Sequence, residues 1–252
     1  MALFESGNPT LSEKMFDKVG HASANAQGTM SVRGTMNKFG LMLIGVIAGA
    51  GYTWHLIDQN NPSLAQTLMI VGVIGGFITA IAITFKPNWA PALAPAYAIL
   101  EGLFLGAISK VFNDAFYPGI VVQAVGLTFG VAVAMFLLYN FRVIKATEKF
   151  KSMIMSAMLG IAIFYLLTWI LGLFNVDVSF VRDNSMLSIG ISLFIVAIAA
   201  LNLILDFDMI EQGAERGAPQ FMEWYAAFGL MVTIVWLYLE ILRLLSKLSS
   251  RD

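Results

Sequence analysis

Seven stretches of this chain are each about as long and as apolar as a bilayer crossing requires: 39–57, 65–85, 91–112, 117–140, 152–174, 185–210 and 221–248. Roughly 20 predominantly apolar residues make a helix that spans the hydrocarbon core. In lipid every backbone polar group must be satisfied internally, which selects helices for such runs. The alternative, a soluble helical bundle with an apolar core, fails on surface chemistry. Only 12% of the residues are charged and 58% are hydrophobic, whereas soluble domains carry about a quarter charged residues. The expected fold is all-α, a polytopic membrane protein built as a seven-transmembrane-helix bundle over residues 37–252. A polar tail, 1–36, precedes it and lacks the basic-then-apolar order of a signal peptide. Leu11, Met15, Phe16 and Val19 recur there at helical spacing, as in a segment lying on the membrane surface; a disordered tail fits equally.

Loop charge sets the expected orientation. With the N-terminus inside, cytoplasmic segments hold ten of the 15 basic residues and outer segments hold five. The inner set includes Lys14, Lys18, Arg33, Lys38, Arg142, Lys145, Lys149 and Lys151. Arg243, Lys247 and Arg251 run against the trend, because seven crossings place them outside. Gly72/Gly76, Gly102/Gly106 and Gly126/Gly130 are four-residue small-residue pairs, expected to serve helix packing. Pro91 suits a first helical turn, and Pro95 is expected to bend the third span.

Several function classes are excluded by what the chain lacks. A net charge of -1 gives no electrostatic case for nucleic acid. Without cysteine there is neither a disulfide nor a thiolate metal site. The two histidines are His21 in the tail and His55, which with Tyr52 and Trp54 suits an interfacial aromatic belt. With no HExxH, GxSxG or phosphate-binding loop, the chain is not expected to be an enzyme, and no cofactor is implied.

The informative residues are the charges inside the spans, where an ionisable group costs about 2.5–3.5 kcal/mol on insertion scales. Glu101 is the deepest acid, near the middle of the third span. Asp206 and Asp208 lie about one turn from the end of the sixth. Asp208 shares a face with Glu211 and Gln212 and is expected to meet water. Asp206 shares a different face with Asn202 and is expected to be buried. Glu240 lies inside the seventh span, with Arg243 three residues on as a ready ion-pair partner. Lys86, at the inner end of the second span, either snorkels to the interface or latches onto a carboxylate of the sixth. Glu101, Asp208 and Asn202 are candidate ion-pathway residues.

The stretch "ILDFDMIEQGAERGAPQFMEWYAAFGLMVTIVWLYLEILRLLS" resembles the end of the transmembrane Bax inhibitor motif family, in particular its bacterial YccA-like and YetJ-like members. Asp206 in "ILDFDMI" corresponds to the family's acid on the sixth helix and Glu240 in "LYLE" to its acid on the seventh. The early "SGNPTLSEKMF" is also similar to the tail of a bacterial branch. The resemblance implies a seven-helix fold with the last helix central, and a pH-sensitive calcium leak. Asp206 and Glu240 would then be gate and proton sensor, holding calcium transiently through oxygen ligands, with Lys86 as latch. It places the protein in the lipid bilayer of a bacterial plasma (inner) membrane, N-terminus cytoplasmic. The alternative is a non-conducting regulator of another membrane protein such as a membrane-bound protease. The chain departs from the family pattern in having Glu for the second acid, Lys for an arginine on the second helix, and a longer link between the acids. A simple hairpin over that link leaves them roughly 20 Å apart in depth. The pairing therefore requires that part of 218–228 add no depth, which an interfacial helix with Phe221, Trp224 and Tyr225 at headgroup level and a bend at Gly229 would achieve.

Overall fold

The computed structural model describes residues 28–174 and 183–250. The surface segment expected around Leu11–Val19, and His21, lie outside the described residues. Seven long helices follow one another: α1 (Val32–Asp58), α2 (Pro62–Phe85), α3 (Ala90–Ala115), α4 (Ile120–Asn140), α5 (Glu148–Leu173), α6 (Met186–Glu215) and α7 (Met222–Ser249). A short 3-10 turn, Pro87–Trp89, leads into α3. All seven are long and apolar enough to cross a membrane, and the described residues contain no strand, only one isolated antiparallel bridge between Thr29 and Pro219.

The helix ends follow local chemistry. α1 starts ahead of its apolar run because Ser31, extended at φ -131, accepts from the Gly34 amide with its hydroxyl. Thr147 caps α5 in the same way, with Glu148 in the first turn. α6 runs to Glu215 rather than 210, and there the chain closes in a Schellman motif. The Ala218 amide donates to the Gly213 carbonyl and the Gly217 amide to that of Ala214. Gly217 takes the left-handed conformation (φ 65) that this cap demands and that a side chain disfavours.

Two compact units are present. One holds the described chain up to Ala115 together with Asp206–Val232; the other holds Phe116–Leu205 and Thr233 onward, so α6 and α7 each contribute to both. In the first unit α3 packs between α1 and α2 through glycine. A Cβ on Gly102 would stand 2.4 Å from the Val46 carbonyl oxygen, and one on Gly106 2.2 Å from that of Ala50. Gly72 on α2 approaches the Leu100 carbonyl in the same manner. Gly126 and Gly130 on α4, expected to pack likewise, face open space. α3 continues as helix through Pro95. In the second unit Ile154 and Ile161 of α5 meet Ile195, Ile198 and Leu205 of α6, with Trp236 of α7 against them.

Burial is deepest on the last helix: 67% of the most apolar window of α7 is buried, against 11% of that of α5. α2 and α4 instead expose large apolar side chains, such as Phe77 and Val122, as lipid-facing helices do. The segment 218–228, expected to lie in part as an interfacial helix, instead divides into a turn up to Phe221 and the start of α7. Residues from Met222 belong to α7 itself, and Tyr225 and Phe228 are wholly buried. Edge-on packing of Phe228 with Tyr97 of α3, at 4.9 Å between centroids, supplies the reason.

Candidate functional site

Because α6 extends to Glu215, Asp206 sits nine residues inside the helix, about two and a half turns rather than one. It is completely buried. Asn202, one turn earlier on the same face, is buried too, and its amide donates to the Thr233 hydroxyl of α7 at 3.1 Å. Asp208 is half-buried and accepts from Gln212 at 2.6 Å; Arg216 in turn donates to Gln212. These i, i+4 contacts run along one face from Asp208 through Gln212 to Arg216.

Asp206 falls in the first unit and Glu240 in the second. Glu240 is 3% exposed, yet its carboxylate is fully engaged. Tyr165 of α5 donates its hydroxyl at 2.8 Å, and one Arg243 nitrogen reaches both carboxylate oxygens at 3.1 Å. Arg243 also donates to the Tyr165 hydroxyl at 2.6 Å. The acid is thus balanced by a guanidinium, and Tyr165 is a member of the site that its sequence context did not single out.

Glu101 is half-buried on α3, hydrogen-bonded to the hydroxyl of Tyr97 one turn earlier, with its carboxylate toward Gly76 of α2. Lys86 lies over the Trp89 ring, 4.3 Å from its centroid. His55 is exposed near the end of α1.

Three buried charges went unrecognised in the sequence: Lys151 at the start of α5, Lys247 and Glu223. Lys247, near the end of α7, donates to the hydroxyls of Ser188 (2.7 Å) and Ser192 (2.9 Å) on α6. Glu223, in the first turn of α7, is 2% exposed. One oxygen accepts from both the amide and the hydroxyl of Ser31 at 2.9 Å, and the other pairs with Lys38 of α1. Gly34 leaves room for this carboxylate, since a Cβ there would stand 2.0 Å from it. No local signal marks Glu223, whose partners lie 185 and 192 residues away.

The Tyr165 hydroxyl bonds two charged groups. Tyr165→Phe is therefore expected to lower stability by about 1.5–3 kcal/mol, measured by thermal unfolding in detergent; an unchanged midpoint would remove the phenol from the network.

Among the described residues no group of three or more His, Asp or Glu is arranged to hold a metal ion. No curated protein matches the chain. A family model described as Bax inhibitor 1 like matches residues 8–250, nearly the whole chain. With seven bilayer-length helices and that match, the chain belongs to the Bax inhibitor 1 like family of membrane proteins.

Proposed function

We propose that this protein lets cations, calcium foremost, leak through a carboxylate-lined path whose conduction follows protonation. The observation that carries the reading is Asp206: a wholly buried carboxylate well inside a bilayer-length helix. Such a residue is costly to insert and is a functional-site candidate by default. Glu240, with Tyr165 and Arg243, is the second proton-sensitive acid of the reading, and Asn202, Asp208 and Glu101 are candidate pathway residues. An ionised acid attracts cations and a protonated one does not, so flux should rise with pH between about 5 and 8.

Purified protein in dye-loaded liposomes tests this directly. Asp206→Asn is expected to lower calcium flux at least about tenfold and Glu240→Gln to flatten its pH dependence. Wild-type liposomes that pass no calcium at any of these pH values would overturn the leak. Co-purification with a membrane protease would then favour the partner-binding alternative.

The same reading places the protein in a bacterial plasma membrane with its N-terminus in the cytoplasm. Two of the basic residues counted as outer charges support it: Lys247 is buried against serines, and Arg243 is paired with Glu240. Neither is a free loop charge. The chain has no cysteine, so single-cysteine variants report cleanly. In intact cells an impermeant maleimide should label Gln59→Cys, whereas Glu148→Cys should react only after permeabilisation; the reverse pattern inverts the topology.

A further inference from the structure

A groove of about 410 Å3 opens at one end of the first unit, lined by Lys38, Pro91, Gln220, Phe221 and Trp224. These residues come from α1, the start of α3, the turn before α7 and the first turn of α7. None of the five is acidic, and the polar ones bring donors. The Lys38 ammonium carries three N–H groups; Glu223 takes one, and the Trp224 ring lies 5.6 Å away. Two ammonium N–H groups, the Gln220 amide and the Trp224 indole N–H therefore have donor capacity in hand.

The same end of the unit has the character of a membrane–water boundary. α2 ends there at Phe85, which is 81% exposed, and Lys86 lies over the half-exposed ring of Trp89. Aromatic rings beside lysines at the ends of spanning helices mark headgroup depth. A groove at that depth that joins a cation to Phe221 and Trp224 matches an anionic headgroup with its first acyl carbons. Its volume lies within the range of small-ligand sites. The dipoles of α3 and α7, both of which begin here, add positive potential.

We infer that this groove is a binding site for the phosphate headgroup of an anionic phospholipid, held by Lys38 with Gln220 and Trp224. The inference is independent of conduction, because it is read by bound lipid and not by flux.

Full-length protein in nanodiscs of phosphatidylcholine containing a tenth phosphatidylglycerol, released into native mass spectrometry, tests it. Wild type should retain phosphatidylglycerol in preference to phosphatidylcholine. Lys38→Gln should reduce that preference about fivefold, the worth of one lysine near an anionic surface. Because Lys38 also holds Glu223, Gln220→Glu serves as a second variant. It leaves the ion pair in place, sets a negative charge in the groove, and should cut retention comparably. Inorganic phosphate at millimolar concentration should not displace the lipid. Equal retention of the two lipids, full retention in folded Gln220→Glu, or displacement by inorganic phosphate would each overturn the proposal.

Discussion

Gly102→Leu and Gly106→Leu are expected to prevent α3 from seating on α1 and to leave little folded protein. An added Cβ would stand 2.4 Å and 2.2 Å from the carbonyl oxygens of Val46 and Ala50, well inside van der Waals contact. The obstacle is backbone, so no side-chain rotation relieves it. The helices would have to part, losing the packing that α3 makes on both neighbours. Overpacking of this kind costs upwards of about 3 kcal/mol when backbones must move. Gly102→Ala and Gly106→Ala, compared with Gly126→Ala and Gly130→Ala, form the matched control, since a Cβ at the last two meets nothing within 4 Å. Unfolding midpoints of the last two in detergent should stay close to wild type. A Gly102→Leu protein with an unshifted midpoint would show that the backbones do not approach as described.

The second large effect is expected at Glu223. Its carboxylate accepts from Ser31 twice and pairs with Lys38, and it is buried. Glu223→Ala strands those donors beside a cavity and should cost about 3 kcal/mol, as when one partner of a buried ion pair is removed. Replacing both members, Glu223→Leu with Lys38→Met, leaves no orphaned charge and should cost less than the sum of the single changes. That coupling, read from four unfolding curves, separates an ion pair from mere packing. Strict additivity would dismiss the pair as a stabilising contact.

The seven helices were legible because apolar runs of this length admit no other solution in lipid. Their ends were less legible, because polar residues extend helices beyond the apolar runs. The Ser31 cap starts α1 ahead of its apolar run, and the polar ladder from Asp208 to Arg216 carries α6 past its own. The glycine pairs announced close packing, but which pairs are used depends on what lies opposite, and Gly126/Gly130 look no different in sequence from Gly102/Gly106. The burial of Asp206 could be read from its sharing a face with Asn202. Glu223 and Lys247 could not, since their partners lie 185–192 and 55–59 residues away. Tyr225 misled for a related reason: a ring suited to headgroups is equally suited to a core, and here it is wholly buried.

The bonds between Ser31 and Glu223 also set a timetable. Their 192-residue separation means that a ribosome adding about 5–20 residues per second delivers Glu223 roughly 10–40 s after Ser31. Throughout that interval Lys38 waits in the nascent chain without its carboxylate. A chain cut short before α7 never acquires it, so the start of the first helix registers whether synthesis reached the last.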